Sequence, residues 1–436
     1  MVNKHADSPS RKWTAGHWQV LLGCYTSYMT KTFGEACFDL TIPARQLLVL
    51  GGSDAATGTL LSVGMGCYMS GKILFGQLGD ILGGQLMLAG SLFMIGLSFV
   101  GISLSTKLSH LCLFWGLANC GLACPWTGMV MCCTPGWFTK ANGLGTVVPL
   151  LGTGSRIGVL LSNSILGPML AKRSWNRIIQ IGAAVYMVGA AIVMAFCRAA
   201  PKKRLPQDPT AEQAIAPSKE TKKKLAPMVD LLRAALTSPR ILLIFSTSTL
   251  LNPIFCSSSI LPLYLTQAKG MTDVAAATLC SAFPAGAMIS IVGCTLVWDK
   301  LKEKGRWLWC ALSLLLTITS TGLIGRGLVN GRTPMFIALT AVTAGMSSTW
   351  SVVGTEFVQV FGGSRAGTLT SWLDAPGYCL TTYFFSSYPR VLARAGWPAI
   401  WFRLQLFGTM ALVCVSSFYF LESKKRTLKP HPLLEL

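Results

Sequence analysis

The sequence predicts an all-α integral membrane protein, with twelve transmembrane helices in two pseudo-symmetric six-helix halves, and three observations lead there. The first is composition: 52% of the 436 residues are hydrophobic and only 12% are charged, against about 25% charged in an average soluble domain. The second is segment length. Twelve apolar runs are long enough to cross about 30 Å of hydrocarbon, and they exceed the strand length that a membrane barrel needs. The third is an internal repeat across a polar centre. After span 2 the chain reads GQLGDILGGQ and after span 8 TLVWDKLKEKGR, with Asp80 and Asp299 each before a short polar turn. Entering span 5 it reads KANGLGT and entering span 11 SRAGTLT, which aligns Gly143 with Gly367. The separations, 219 residues for the aspartates and 224 for the glycines, are nearly equal. Two six-helix halves in parallel repeat follow, with a site near the midplane between them.

Taken in order, spans 1 to 6 are expected at 15–40, 55–77, 84–104, 108–133, 142–170 and 176–198. Spans 7 to 12 are expected at 239–265, 273–298, 306–325, 334–361, 365–392 and 397–421. The halves are therefore 15–198 and 239–421, with polar tails at 1–14 and 422–436. Residues 199–238 are rich in Pro, Lys and Glu and too polar to bury, so a basic cytoplasmic linker is expected, with a surface helix over 228–236. No secretory leader is expected, because the first twelve residues are polar and the apolar run behind them is too long for an h-region.

A formal net charge of +21 would point to nucleic acid in a soluble chain, but here the basic residues concentrate in alternate loops. Lys4, Arg11 and Lys12 precede span 1, and Lys202, Lys203, Arg204, Lys219, Lys222, Lys223 and Lys224 fill the linker. Lys300, Lys302, Lys304 and Arg306 follow span 8; Lys424, Lys425 and Arg426 follow span 12. The positive-inside rule then places both termini in the cytoplasm and removes the nucleic-acid reading. The opposite loops also carry Lys172, Arg173, Arg177, Arg326 and Arg332, so the orientation rests on the bias. No organelle-targeting stretch is evident, and the plasma membrane is expected in preference to an organelle.

All 15 cysteines lie in or beside apolar segments and none forms a CxxC, which reads as small buried hydrophobes rather than disulfides or metal ligands. The four histidines lie at termini or segment ends. No metal and no cofactor are expected, and without a nucleophile–base pair or a phosphate-cradling loop neither is an enzyme.

The most informative stretch is 25–40, YTSYMTKTFGEACFDL, which places Lys31, Glu35 and Asp39 inside span 1. A charge at the bilayer centre costs roughly 2.5–3.5 kcal/mol, so such residues pair, face a bundle interior or line a watery cavity. Steps of four put the three side chains on one stripe of a helix. Two readings follow: a structural Lys31–Glu35 pair with Asp39 reaching the interface, or a substrate or proton site. Arg156 in span 5, among Gly152, Gly154 and Gly158, poses the same choice between pairing with Glu35 or Asp39 and binding an anion.

The GxxxD element Gly76 to Asp80, with Gly83 and Gly84 behind it, resembles the loop signature of the major facilitator superfamily. Longer stretches resemble its organophosphate:phosphate antiporters, which carry glycerol 3-phosphate and hexose phosphates: Tyr264 to Arg306, and Gly354 to Tyr378 with Glu356, Gly367, Thr368, Gly377 and Tyr378 on the pattern. Lys72 in GKILFGQLGD falls on a lysine of that family's anion site. Tyr28 and Lys31 in YMTKTF fall on its span 1 tyrosine and first basic residue. The resemblance implies the major facilitator fold and transport by alternating access. That family clamps phosphate between two arginines, one in each half; here Lys31 replaces the first and Ile254 the second. A family histidine falls on Gly152 and an acid on Pro284, while Arg156 and Asp374 are additional.

The expected substrate-binding residues are thus Tyr28, Lys31, Lys72, Arg156, Asn252 and Tyr378, and the coupling or gating residues Glu35, Asp39, Asp80, Asp299, Glu356 and Asp374. In the N-terminal half, Lys31, Lys72 and Arg156 against Glu35 and Asp39 leave one net positive charge, which favours a small anionic ligand. The expected partners are a small organic anion, the lipid bilayer, and protons or phosphate as coupling ion, in a monomer. A neutral or zwitterionic solute and a transporter-like sensor are the alternatives.

Overall fold

In a computed structural model, the described residues are 13–44, 49–133, 137–138, 144–170, 174–197, 237–352 and 366–424. Residues 1–12 and 425–436 of the expected tails, 199–236 of the linker with its helix at 228–236, and Glu356 lie outside them. Chain order gives α1 (Ala15–Leu40), α2 (Asp54–Leu82), α3 (Gly84–Leu104), α4 (Leu108–Leu122), α5 (Pro125–Cys133), α6 (Leu144–Leu170) and α7 (Trp175–Phe196). Then come α8 (Pro239–Cys256), α9 (Leu261–Gln267), α10 (Asp273–Cys280), α11 (Ala282–Val297), α12 (Glu303–Gly325), α13 (Arg332–Val352) and α14 (Ala366–Lys424). Among the described residues there is no strand.

Seven helical stretches among the described residues are long and apolar enough to cross a membrane. One of them, Asp374–Ser423, is two rods, because α14 breaks at Gly396, whose φ of 69° only glycine adopts without strain. With those two counted separately, and with α1, α2, α6 and α13 added, the described rods number twelve. Their outward faces are apolar: Leu86, Phe93, Leu97 and Leu104 on α3 and Leu308, Leu312 and Leu323 on α12 are all exposed. Such faces suit hydrocarbon and not water.

Prolines explain where a span is made of two pieces. Pro125 has no N–H for the carbonyl four residues earlier, so α4 stops and Cys124 bonds instead to the Gly121 carbonyl at 3.0 Å. Pro284 breaks span 8 in the same way, and Ser281 turns back to Thr278. Span 7 runs helically through Pro253 and tightens one turn later, at Ser257–Ile260, ahead of Pro262.

Two compact units emerge. The first holds the described residues up to 197 together with Gly270–Ser281, and the second holds the rest. The piece of span 8 in the first unit is α10, which packs on α6, with Ala277 3.0 Å from where a side chain on Gly167 would begin. Within the first unit α1 packs on α6 and α7, α2 on α4, and α3 on α4 and α7. Phe38 stacks on Trp115 with centroids 3.3 Å apart, and Phe99 meets Tyr186 edge-on at 5.0 Å. In the second unit α8 and α12 pack on α14, and α13 on α11 and α12. Gly158 of α6 sits directly on the Met29 carbonyl and Thr32 hydroxyl of α1, an approach open only to a residue without Cβ.

Candidate functional site

The site is built from α1 outward. Thr14 and His17 cap its start, the Thr14 backbone N–H donating to His17 Nδ1 at 3.2 Å. One turn beyond its middle, the buried Lys31 ammonium donates to Glu35 Oε2 at 2.5 Å, the pairing that a spacing of four predicts. The Lys31 carbonyl accepts a 2.8 Å bond from the hydroxyl of fully buried Tyr186 on α7, which fixes this turn of α1.

Two more cations come to the same place from other helices. Lys72 of α2 is buried, 5% exposed. Its Nζ lies 5.8 Å from the ring centre of Tyr68, one turn earlier, and Lys31 Nζ lies 6.0 Å from the same ring. Arg156 of α6 is within electrostatic reach of Tyr28 and Glu35. Tyr28 in turn is within electrostatic reach of Lys31, Tyr68, Arg156 and Lys72. Trp126 closes one side, its ring 5.5 Å from that of Tyr28. Five expected residues, Tyr28, Lys31, Glu35, Lys72 and Arg156, therefore gather within the first unit. Asp39 stands one turn further along α1, within electrostatic reach of Tyr186.

Sequence reasoning missed Tyr68, Trp126 and Tyr186. Tyr68 was within reach, since it precedes Lys72 by four on one helix face. Trp126 owes its place to the break at Pro125, and Tyr186 is 155 residues from its partner. No spacing in the sequence carries either.

The second unit presents neutral groups. Asn252 is 1% exposed, and its Oδ1 accepts from Thr381 Oγ1 at 2.8 Å and from Cys256 Sγ at 3.4 Å. Gly377 lets α14 close on that amide, with Asn252 Cβ 2.9 Å from where a glycine Cβ would stand. Asn252 is thus tied into helix packing through its oxygen. Thr381→Val is expected to cost about 1–3 kcal/mol of stability, read as a lower thermal midpoint, with substrate affinity unchanged. An affinity change at an unaltered midpoint would make Asn252 a ligand residue instead. Tyr378 is buried and Asp374 half-buried on the same helix. The side chains of Asp80 and Asp299 lie outside the described ones.

Buried charges inside the spans of a polytopic helical protein mark a candidate functional site. The family model described as Major Facilitator Superfamily matches residues 24–380, and the chain belongs to that superfamily of transporters. Two solved structures share the fold. A bacterial homolog of the human lysosomal transporter Spinster, in an inward-facing and unoccupied conformation, matches with a TM-score of 0.68 and 14% identity over 96% of this chain and 100% of its own. A mutant of the nucleoside transporter NupG matches with a TM-score of 0.68 and 13% identity over 92% of this chain and 98% of its own. No curated protein sequence matches the chain.

Proposed function

We propose that the protein is a secondary active transporter that moves a small organic anion across a membrane by alternating access. The observation that carries this reading is the gathering of Lys31, Lys72 and Arg156 about Tyr28 with Glu35 as the paired carboxylate. Cationic groups gathered in a setting of low dielectric favour the entry of an anion. Arg156 offers a planar fork to a carboxylate or phosphate, and Lys72 a point charge. Tyr28, Tyr68 and Trp126 provide apolar faces and hydroxyls for the organic part.

In this mechanism Glu35 holds Lys31 while the site is empty, and the incoming anion competes for the ammonium. Binding acts by its differential affinity for the two access states, which shifts their populations. Protonation of Glu35 would release Lys31 outright and couple uptake to protons; exchange against phosphate would use the anion itself as the counter-charge. Phosphate esters follow from the resemblance to the organophosphate antiporters, and carboxylates from the acidic partners. Asp39, Glu356 and Asp374 are proposed for coupling, Asp80 and Asp299 for gating, and Tyr378 as a lining group. The protein is read as a monomer with both termini in the cytoplasm, in the plasma membrane.

A neutral or zwitterionic solute is the second reading, favoured by Ile254. That side chain stands where the resembling family has its second arginine, and it is fully buried. Counterflow in proteoliposomes separates the readings. Vesicles preloaded with phosphate, glycerol phosphate, mono- and dicarboxylates or neutral amino acids, with and without a pH gradient, are expected to show flux only with anions. Flux confined to neutral solutes contradicts the proposal, and binding without flux would make the protein a sensor.

A further inference from the structure

The end of the second unit away from the C-terminal end of α14 is cationic. Arg326 caps α12, Arg332 opens α13, and Arg390 and Arg394 lie just before the break at Gly396; all four are exposed. From residue 304 to 355 and from 375 to 421 the sequence contains no Asp or Glu. Among the described residues none pairs with the Arg326 guanidinium.

Arg326 also borders a groove of about 380 Å³ between α12 and the second rod of α14, lined by Gly322, Gly325, Phe402, Gln405 and Leu406. Two glycines create it. A Cβ on Gly325 would lie 2.9 Å from Trp401 Cβ, and one on Gly322 would lie 2.7 Å from Gln405 Nε2. The rim faces outward from the unit, since Leu323, Phe402 and Leu406 are exposed. Gln405 is half-buried in this apolar wall, and no described residue hydrogen-bonds its side chain. An amide in hydrocarbon without a partner is costly, so the wall is built for a molecule that is apolar along its length and offers an acceptor partway up.

We propose that this groove binds an anionic phospholipid: the phosphate on Arg326, one acyl chain along Gly322, Phe402 and Leu406, and a glycerol ester carbonyl accepting from the Gln405 amide. The commitment to an anionic headgroup rests on charge complementarity, because the arginines have no carboxylate beside them. Each basic residue near a membrane surface favours an anionic lipid by about fivefold.

The test counts lipids retained by the full-length protein in detergent, by native mass spectrometry, during titration with phosphatidylglycerol or phosphatidylcholine of equal chain length. Wild type is expected to retain phosphatidylglycerol at least about fivefold more strongly. Arg326→Gln is expected to remove about that factor, and Gly322→Leu to lower occupancy by both lipids. Gln405→Leu conserves the groove and serves if Gly322→Leu does not fold; it is expected to weaken retention without changing headgroup preference. Equal retention of the two lipids by wild type, or an unchanged preference in Arg326→Gln, overturns the proposal. Displacement of the bound lipid by excess inorganic phosphate also overturns it, since the site would then belong to a soluble anion.

Discussion

Lys31→Ala and Arg156→Ala are each expected to lower the initial rate of uptake by at least about thirtyfold, with protein still present at the cell surface. Truncating one partner of a buried charge pair costs about 2–5 kcal/mol. Lys31 is such a partner, 8% exposed and bonded to Glu35 at 2.5 Å. Its removal also takes one positive charge from the cluster, so an anion loses a direct contact and part of the local field. Lys31→Arg keeps the charge and is expected to retain part of the transport. Uptake in reconstituted vesicles, normalised by surface labelling, checks this. Near-normal transport in either alanine variant removes that residue from the site.

Gly158→Leu is expected to abolish folded yield, and Gly158→Ala to destabilise by about 1–3 kcal/mol. The reason is geometric. A Cβ at 158 meets the Met29 carbonyl oxygen, which is backbone and cannot rotate away, so α1 and α6 must separate. That separation also draws Arg156 away from Tyr28, and transport by any surviving Gly158→Ala protein should fall with it. Gly152 on the same helix is the control. Nothing lies within 4 Å of its absent Cβ, and Gly152→Ala is expected to stay within about 0.5 kcal/mol of wild type. Monodisperse yield on size exclusion and the thermal midpoint distinguish the two positions.

Composition and segment length made the helical membrane architecture legible, because hydrocarbon leaves the backbone few alternatives. The Lys31–Glu35 pair was also legible, since both partners share one helix. Lys72 and Arg156 could be suspected singly, as charges in apolar runs, but their meeting at Tyr28 depends on how α1, α2 and α6 pack. That information is spread over glycine contacts such as Gly158 with Met29. Asn252 shows the reverse case. A polar residue before a proline in a span suggests a ligand group and a kink, yet its oxygen is taken by Thr381, 129 residues away, and the helix tightens only at Ser257. The assignment of α10 to the first unit had no signature at all beyond Pro284, which frees that turn from the rest of span 8.

The measurement that bears most directly on the anion site is equilibrium binding to the purified full-length protein, titrated by calorimetry with inorganic phosphate, a dicarboxylate and a neutral nucleoside at two salt concentrations. The predicted result is binding of an anion that weakens with salt and is lost in Lys72→Ala and Arg156→Ala, with no binding of the nucleoside. Salt-independent binding of the nucleoside, unchanged in both variants and unaccompanied by anion binding, would contradict it.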